Sequence, residues 1–139
     1  MRNVTLQFDA TGTLQGSSSM LASARDWARF GLLYLNDGMI SGHRILPDEW
    51  VDFSASPTLG TDYGAGFWTN RSEHERAKGR VKMGIARDAF FAFGDQGQRI
   101  VILPSQHMVI VRLGDSVDPT GDIRGLGGLV KEVIAATQR

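Results

Sequence analysis

Chemistry in a polypeptide begins with nucleophiles, bases and charges within reach of one another. Ser17-Ser18-Ser19 is the densest run of hydroxyls here. A serine attacks an acyl carbon only when a neighbouring base takes its proton. No base stands near this run, and a polar loop leading into a helix cap accounts for it. His43, His74 and His107 are scattered, without the spacing of a metal site. Surface placement is the default for histidines so isolated, although His43 and His107 stay open as bases brought in from a distance. Arg25, Asp26 and Arg29 could grip an anion; on a helix, Asp26 and Arg29 fall at i,i+3, and an ion pair is the simpler reading. Trp27, Trp50 and Trp68 could line a cleft, with packing the safer expectation. Asp95 and His107 share one stretch of the chain, which is the sole argument for an acid–base pair.

The elements that must position these groups follow from periodicity. Residues 4–8 alternate apolar and polar as a short strand does, and Asp9-Ala10-Thr11-Gly12 reads as a turn. Residues 16–19 form a polar loop. Ser23 can cap a helix, with Asp26 three residues on completing an acidic variant of the capping box. Ala24, Trp27, Ala28, Gly31 and Tyr34 share one face of that helix, widened by Phe30, Leu33 and Leu35, so it should be largely buried. Asn36-Asp37-Gly38 ends it with residues that tolerate a left-handed backbone. A β-excursion around Ser41-Gly42 follows, then a helix from Pro47 to about residue 54.

Residues 63–69 read as a glycine-broken strand, and the polar stretch 70–82 as a surface loop. Strands are expected at 89–93, 98–103 and 108–113, the last two apolar on both faces, as in strands covered from both sides. Short connections between them predict an antiparallel meander. Residues 117–121 read as a turn-rich linker, and 123–137 as a closing helix with the stripe Leu126, Leu129, Val130, Val133 and Ile134. The whole describes an α+β fold, an antiparallel β-meander covered by helices, in one domain over residues 1–139 without internal repeats.

Composition sets the outer limits. Fifteen basic and fifteen acidic residues cancel, which removes the bulk electrostatic case for nucleic acid or an anionic membrane. There is no cysteine, so disulfides and thiolate zinc sites are excluded. No apolar run approaches the roughly 20 residues of a membrane span, and Met1-Arg2-Asn3-Val4 has no signal-peptide core. The chain as written is therefore expected in the cytoplasm, or in the periplasm or outside the cell if it is a piece of an exported parent. Neither metal nor cofactor is expected.

Several separated segments resemble one family. Ser23 to Gly38 is similar to the "ARDWARFGLLYLNDG" helix of β-lactamase-related serine hydrolases, and Gly42 to Val51 resembles their "GxRILPxxWV". Tyr63-Gly64-Ala65-Gly66-Phe67-Trp68 resembles their "YGxGWW" strand. Phe90 to Gln98, Val101 to Ser105 and Val109 to Gly114 resemble their closing strands. The matches arrive in the family's order, and the esterase, 6-aminohexanoate-oligomer hydrolase and class C β-lactamase-like branch is nearest. The resemblance implies the C-terminal half of that fold, a partial β-lactamase/transpeptidase-like arrangement.

It also implies acyl transfer through a serine in S-x-x-K, a Tyr in Y-x-N and a K-T-G or H-x-G strand motif. Three residues before Lys78, Lys82 and Lys131 stand Glu75, Gly79 and Gly128, so no serine has its lysine and no catalytic residue is assigned. No G-x-S-x-G elbow occurs. Tyr34-Leu35-Asn36 matches Y-x-N in letters but lies inside the best helix, where packing explains it. For the third motif two registers are open, Asp95-Gln96-Gly97 followed by Gln98, or Ala92-Phe93-Gly94. The first is preferred because Gly97-Gln98 fits the family's "GQ", making Asp95, Gln96, Gly97 and Gln98 the substrate-binding candidates. Asp95 puts a negative charge where the family usually has a donor, and a plain hairpin turn explains the same letters.

Two functions follow. One is a truncated or split serine hydrolase, inactive alone, with a complementary N-terminal fragment as its partner. The other is a stand-alone binding or assembly module. In the family, N-terminal strands complete the sheet beside its last strand, so strand 108–113 would expose an apolar edge here; pairing with a second copy would give a homodimer, and a groove for a small molecule could remain.

Overall fold

A computed structural model describes residues 1–16, 19–116 and 119–137, with residues 119–124 described by their backbone alone. The organising element is an antiparallel sheet of four strands in the order β5 (Trp68–Thr69), β6 (Phe90–Phe93), β7 (Arg99–Leu103) and β8 (Met108–Arg112). Ile100 pairs with Ala92 on one side and Val111 on the other, which fixes the register of the meander.

Side chains alternate across the pleat. Phe90, Ile100 and Ile102 point to one face, where they meet Trp27, Phe30, Tyr34 and Leu35 of helix α1 (Ala24–Leu35) and Val51 and Ala55 of α2 (Trp50–Ala55). Phe91, Val101, Leu103 and Ile110 point to the other, where they meet Ile85, Ala89 and, from α4 (Pro119–Thr137), Leu126 and Val130. The sheet is thus the middle of three layers, and the doubly apolar strands expected from the sequence are covered on both faces. Burying each of these Phe, Ile, Leu or Val side chains contributes roughly 1.5–3 kcal/mol.

Helix α1 starts where expected. Ser23 is extended at the N-cap, and its side chain accepts a hydrogen bond from the Asp26 N–H. The helix is less buried than its wide apolar face predicts: only Asp26 and Gly31 are fully buried, and its large apolar side chains are half-buried or, like Leu32, exposed. Two small antiparallel hairpins flank it, β1 (Val4–Leu6) with β2 (Met20–Ala22) before it and β3 (Met39–Ile40) with β4 (His43–Arg44) after it.

Other expectations are corrected. The stretch 70–82 is not a surface loop throughout, because Glu75–Lys82 forms helix α3, capped by His74 and buried at Ala77 and Arg80. Its charges hid a helix whose buried side is one alanine, Ala77, and one arginine, Arg80. Helix α2 begins at Trp50 rather than Pro47, since Glu49 adopts a left-handed backbone with φ 66°. The expected strand 63–69 is reduced to β5, joined to Tyr63 by one isolated bridge. Pro119 already opens α4, so the linker expected at 117–121 is helical from that residue on, while its Val117 and Asp118 lie outside the described residues. No helix among the described residues is long and apolar enough to cross a membrane.

Candidate functional site

The turn between β6 and β7 carries the four sequence candidates. Gly94 N–H donates to the Gln98 carbonyl at 2.8 Å, and Gln98 N–H donates to the Asp95 carbonyl at 3.2 Å, closing a single tight turn over Asp95–Gly97. Gln96 has φ 51° and Gly97 φ 85°. A side chain at Gly97 would be strained by that backbone and would lie 2.7 Å from Arg112 Nη1 and 2.8 Å from Ser116 Cβ.

Two arginines brace the turn. Arg99 Nη1 donates to the carbonyls of Gly94 at 2.8 Å and Gln98 at 2.6 Å, and its guanidinium lies 4.2 Å over the Phe93 ring. Burial, with the Arg112 charge behind it, pushes the Arg99 guanidinium below its ordinary range. Arg112 donates to the Gly97 carbonyl and to Ser116 Oγ, and Ser116 N–H donates to the Gln96 carbonyl at 2.8 Å. The candidates therefore sit on a fixed loop at the end of two sheet strands.

A cavity of about 660 Å³ opens beside this turn. One wall is the sheet and turn, with Ala92, Phe93, Asp95, Gln98 and Ile100. The opposite wall is the β1–β2 hairpin, with Leu6, Leu14, Met20 and Leu21, and Trp27 of α1 stands between them. Its size is within the range of small-molecule sites, and its surface is mostly apolar with a few polar groups, as such sites are. Asp95 and Gln98 face this space. Gln96 and Gly97 do not: Gln96 is exposed and its carbonyl accepts from Ser116, and Gly97 is buried under Arg112. The alternative register also contributes, since Ala92, Phe93 and Gly94 belong to the same wall.

Other candidates are placed apart. Ser19 lines the cavity, while Ser17 and Ser18 lie outside the described residues. The described lining holds no His, Lys or Tyr to act as base toward a serine. His107 sits in the β7–β8 turn with φ 47°, whereas Asp95 precedes β7, so the two stand at opposite ends of that strand. Its five residues separate them by roughly 15 Å. The pair is not an acid–base unit. His43 lies in exposed β4, and His74 accepts from the Arg76 N–H through Nδ1 as the cap of α3. Tyr34 packs on Phe67 with ring centroids 4.5 Å apart, which is the structural use of Tyr34-Leu35-Asn36. Trp27 lines the cavity, Trp68 stacks on Phe93, and Trp50 is exposed at 42%.

Sequence reasoning missed two buried polar centres. Asp26, expected on a polar stripe, is fully buried. Burial alone would raise its pKa, but the Arg2 and Asn3 backbone N–H groups, the Ser23 hydroxyl and the Arg29 guanidinium together hold it well below the carboxylate range. The capping-box spacing was its one signal in the sequence. The second centre is Arg80, which donates to Asn70 Oδ1 at 2.7 Å, Asp62 Oδ2 at 3.1 Å and the Thr69 carbonyl at 3.0 Å, and lies over the Phe91 ring.

The sequence and the fold have counterparts among known proteins. No protein-family model matches the chain. It is 28% identical over 141 residues to the 6-aminohexanoate-dimer hydrolase of Paenarthrobacter ureafaciens, covering 99% of this chain and 35% of that protein. Its fold matches, at a TM-score of 0.73 and 26% identity, a solved structure from Bacillus anthracis described as a 6-aminohexanoate-dimer hydrolase, covering 97% of this chain and 34% of that one. In both sequence and fold the chain resembles one portion of these 6-aminohexanoate-dimer hydrolases. The chain spans about a third of the length of the relatives it matches, less than the half expected from the resemblance. Its α+β architecture with antiparallel sheets is a portion of the β-lactamase fold.

Proposed function

We propose that the chain supplies one wall of the substrate site of an acyl-transfer hydrolase and is inactive by itself. The observation that carries this reading is the cavity: Asp95 and Gln98, the residues where the family resemblance puts the third motif, face an apolar space between sheet and hairpin. Gln96 and Gly97 contribute by shaping the turn that presents them. The chemistry needs a serine primed by an amine, and the 139 residues hold no S-x-x-K. In the complete site that pair comes from a complementary segment, and a small acyl compound occupies the space. Oxyanion donors and binding leave only a small residual rate when a nucleophile is missing. The test is hydrolysis of p-nitrophenyl acetate by the isolated chain. No saturable rate above buffer is expected; saturation abolished by changing one serine would overturn the proposal.

A second reading is favoured by the sheet edge. Among the described residues β8 (Met108–Arg112) has a strand on one side only, and its first four residues, Met108-Val109-Ile110-Val111, are apolar. An unpaired apolar edge invites a further strand. A second copy of the chain, docking edge to edge, makes a homodimeric assembly module.

A further inference from the structure

The hairpin that forms the outer wall of the cavity has little to hold it. All three residues of β1 are exposed, and Leu21 of β2 is exposed at 70%. β1 and β2 pair only with each other, and a two-stranded hairpin is marginal in water. Yet Leu6, Leu14, Met20 and Leu21 must stand in place for the cavity to exist. Among the described residues, one carboxylate ties both ends of this hairpin to α1. Asp26 Oδ1 accepts the Arg2 N–H at 2.7 Å, and Oδ2 accepts the Asn3 N–H at 3.1 Å, immediately before β1 begins at Val4. The same carboxylate accepts from Ser23 Oγ at 2.9 Å, immediately after β2 ends at Ala22, and from Arg29 Nη1 at 2.8 Å. Both ends of the hairpin are thus gathered on one buried group in the first turn of α1, next to Trp27 in the cavity wall.

We infer that Asp26 is a positioning residue for the cavity, fixing the β1–β2 wall at its distance from Asp95 and Gln98. This rests on reading the cavity as a binding site. Bonds from neutral donors to a buried ionised acceptor are among the stronger hydrogen bonds in proteins. Asn at this position keeps one acceptor oxygen, but it loses the charge and turns an NH2 toward backbone donors. Removing Asp26 leaves the sheet, α2 and α4 untouched and releases the wall.

The test combines amide hydrogen exchange with a binding probe, 1-octanol, titrated by Trp27 fluorescence. Two variants are used. Asp26→Asn alters the acceptor; Asn3→Pro removes one donor and leaves Asp26, its N-cap bond and Arg29 in place. In both, exchange at residues of β1 and β2 rises about tenfold while that of β7 and β8 stays at the wild-type rate, and the octanol concentration for half-saturation rises about tenfold. Tenfold matches the loss of one charge-assisted hydrogen bond. Unchanged hairpin exchange, or an equal rise throughout the sheet, overturns the inference, the latter marking Asp26 as a general structural residue. Octanol binding equally well to wild-type and both variants also overturns it, leaving the cavity reading intact. Failure of octanol to bind the wild-type chain at all overturns the cavity reading itself.

Discussion

Gly31 of α1 and Val109 of β8 touch so closely that no side chain fits between them. A Cβ on Gly31 would lie 2.5 Å from Val109 Cγ1 and 3.1 Å from Ile100 Cγ2. The helix sits on the sheet at the distance this glycine permits, and Trp27 and Phe30 are set by the same contact. Gly31→Ala tests it. Alanine gains about 1 kcal/mol of helix propensity over glycine, but Val109 is β-branched and stiff, so the helix must lift. Net destabilisation of about 1–3 kcal/mol is expected, as for other overpacked cores, measured as a lower urea midpoint with an unchanged slope.

The pair Arg80–Asp62 makes a second prediction. Each side chain is only 3% exposed. Burial pushes the Arg80 guanidinium below its ordinary range, and the Asp62 carboxylate opposes that shift. Asp62→Ala leaves a buried unpaired cation and should cost about 3–5 kcal/mol. The double variant Asp62→Ala, Arg80→Met should cost clearly less than the two single changes added together, because neither charge is then orphaned. Strict additivity in a denaturation cycle contradicts this account of the network.

These two contacts show what a sequence makes legible. Helix α1 and the strands of the meander were readable because their apolar residues recur at the periods of helix and strand, and Ser23 and Asp26 carry capping-box spacing. Helix α3 was not, because Glu75, Arg76, Lys78 and Lys82 look like a solvated stretch, and Arg80 is buried against partners 10 to 18 residues away, Asn70, Thr69 and Asp62. The turn that places Asp95 and Gln98 beside the cavity was marked in the sequence by Gly97-Gln98, where the resemblance to the family's "GQ" lies. Their opposite wall was not, since it depends on Arg2 and Asn3 meeting Asp26 some 24 residues later, which no local pattern announces.

Acid should weaken the chain through Asp26. Its folded pKa is depressed, so the stability it contributes is fully present above its unfolded pKa of about 3.9 and is lost as pH falls from there toward the folded value. The local stability difference between wild type and Asp26→Asn, read as the ratio of their β1–β2 amide protection factors, should hold constant from neutral pH to about pH 5 and shrink below about pH 4. Hydrogen exchange across that range checks it; a difference that grows with acid has the wrong sign for a depressed carboxylate.

The β8 edge makes a prediction about assembly. Light scattering at tens of micromolar, well above the Kd of most specific complexes, should give about twice the mass of one chain. A stable monomer at that concentration rules out edge pairing between copies.

The central proposal is that these residues form one wall of an acyl-transfer site whose primed nucleophile they do not supply. A fluorophosphonate probe reports that most directly, because it bonds covalently to activated serines and leaves ordinary ones alone. Intact-mass spectrometry of the isolated chain after incubation should show an unmodified polypeptide. Stoichiometric addition at a single serine, lost when that serine becomes alanine, contradicts the account.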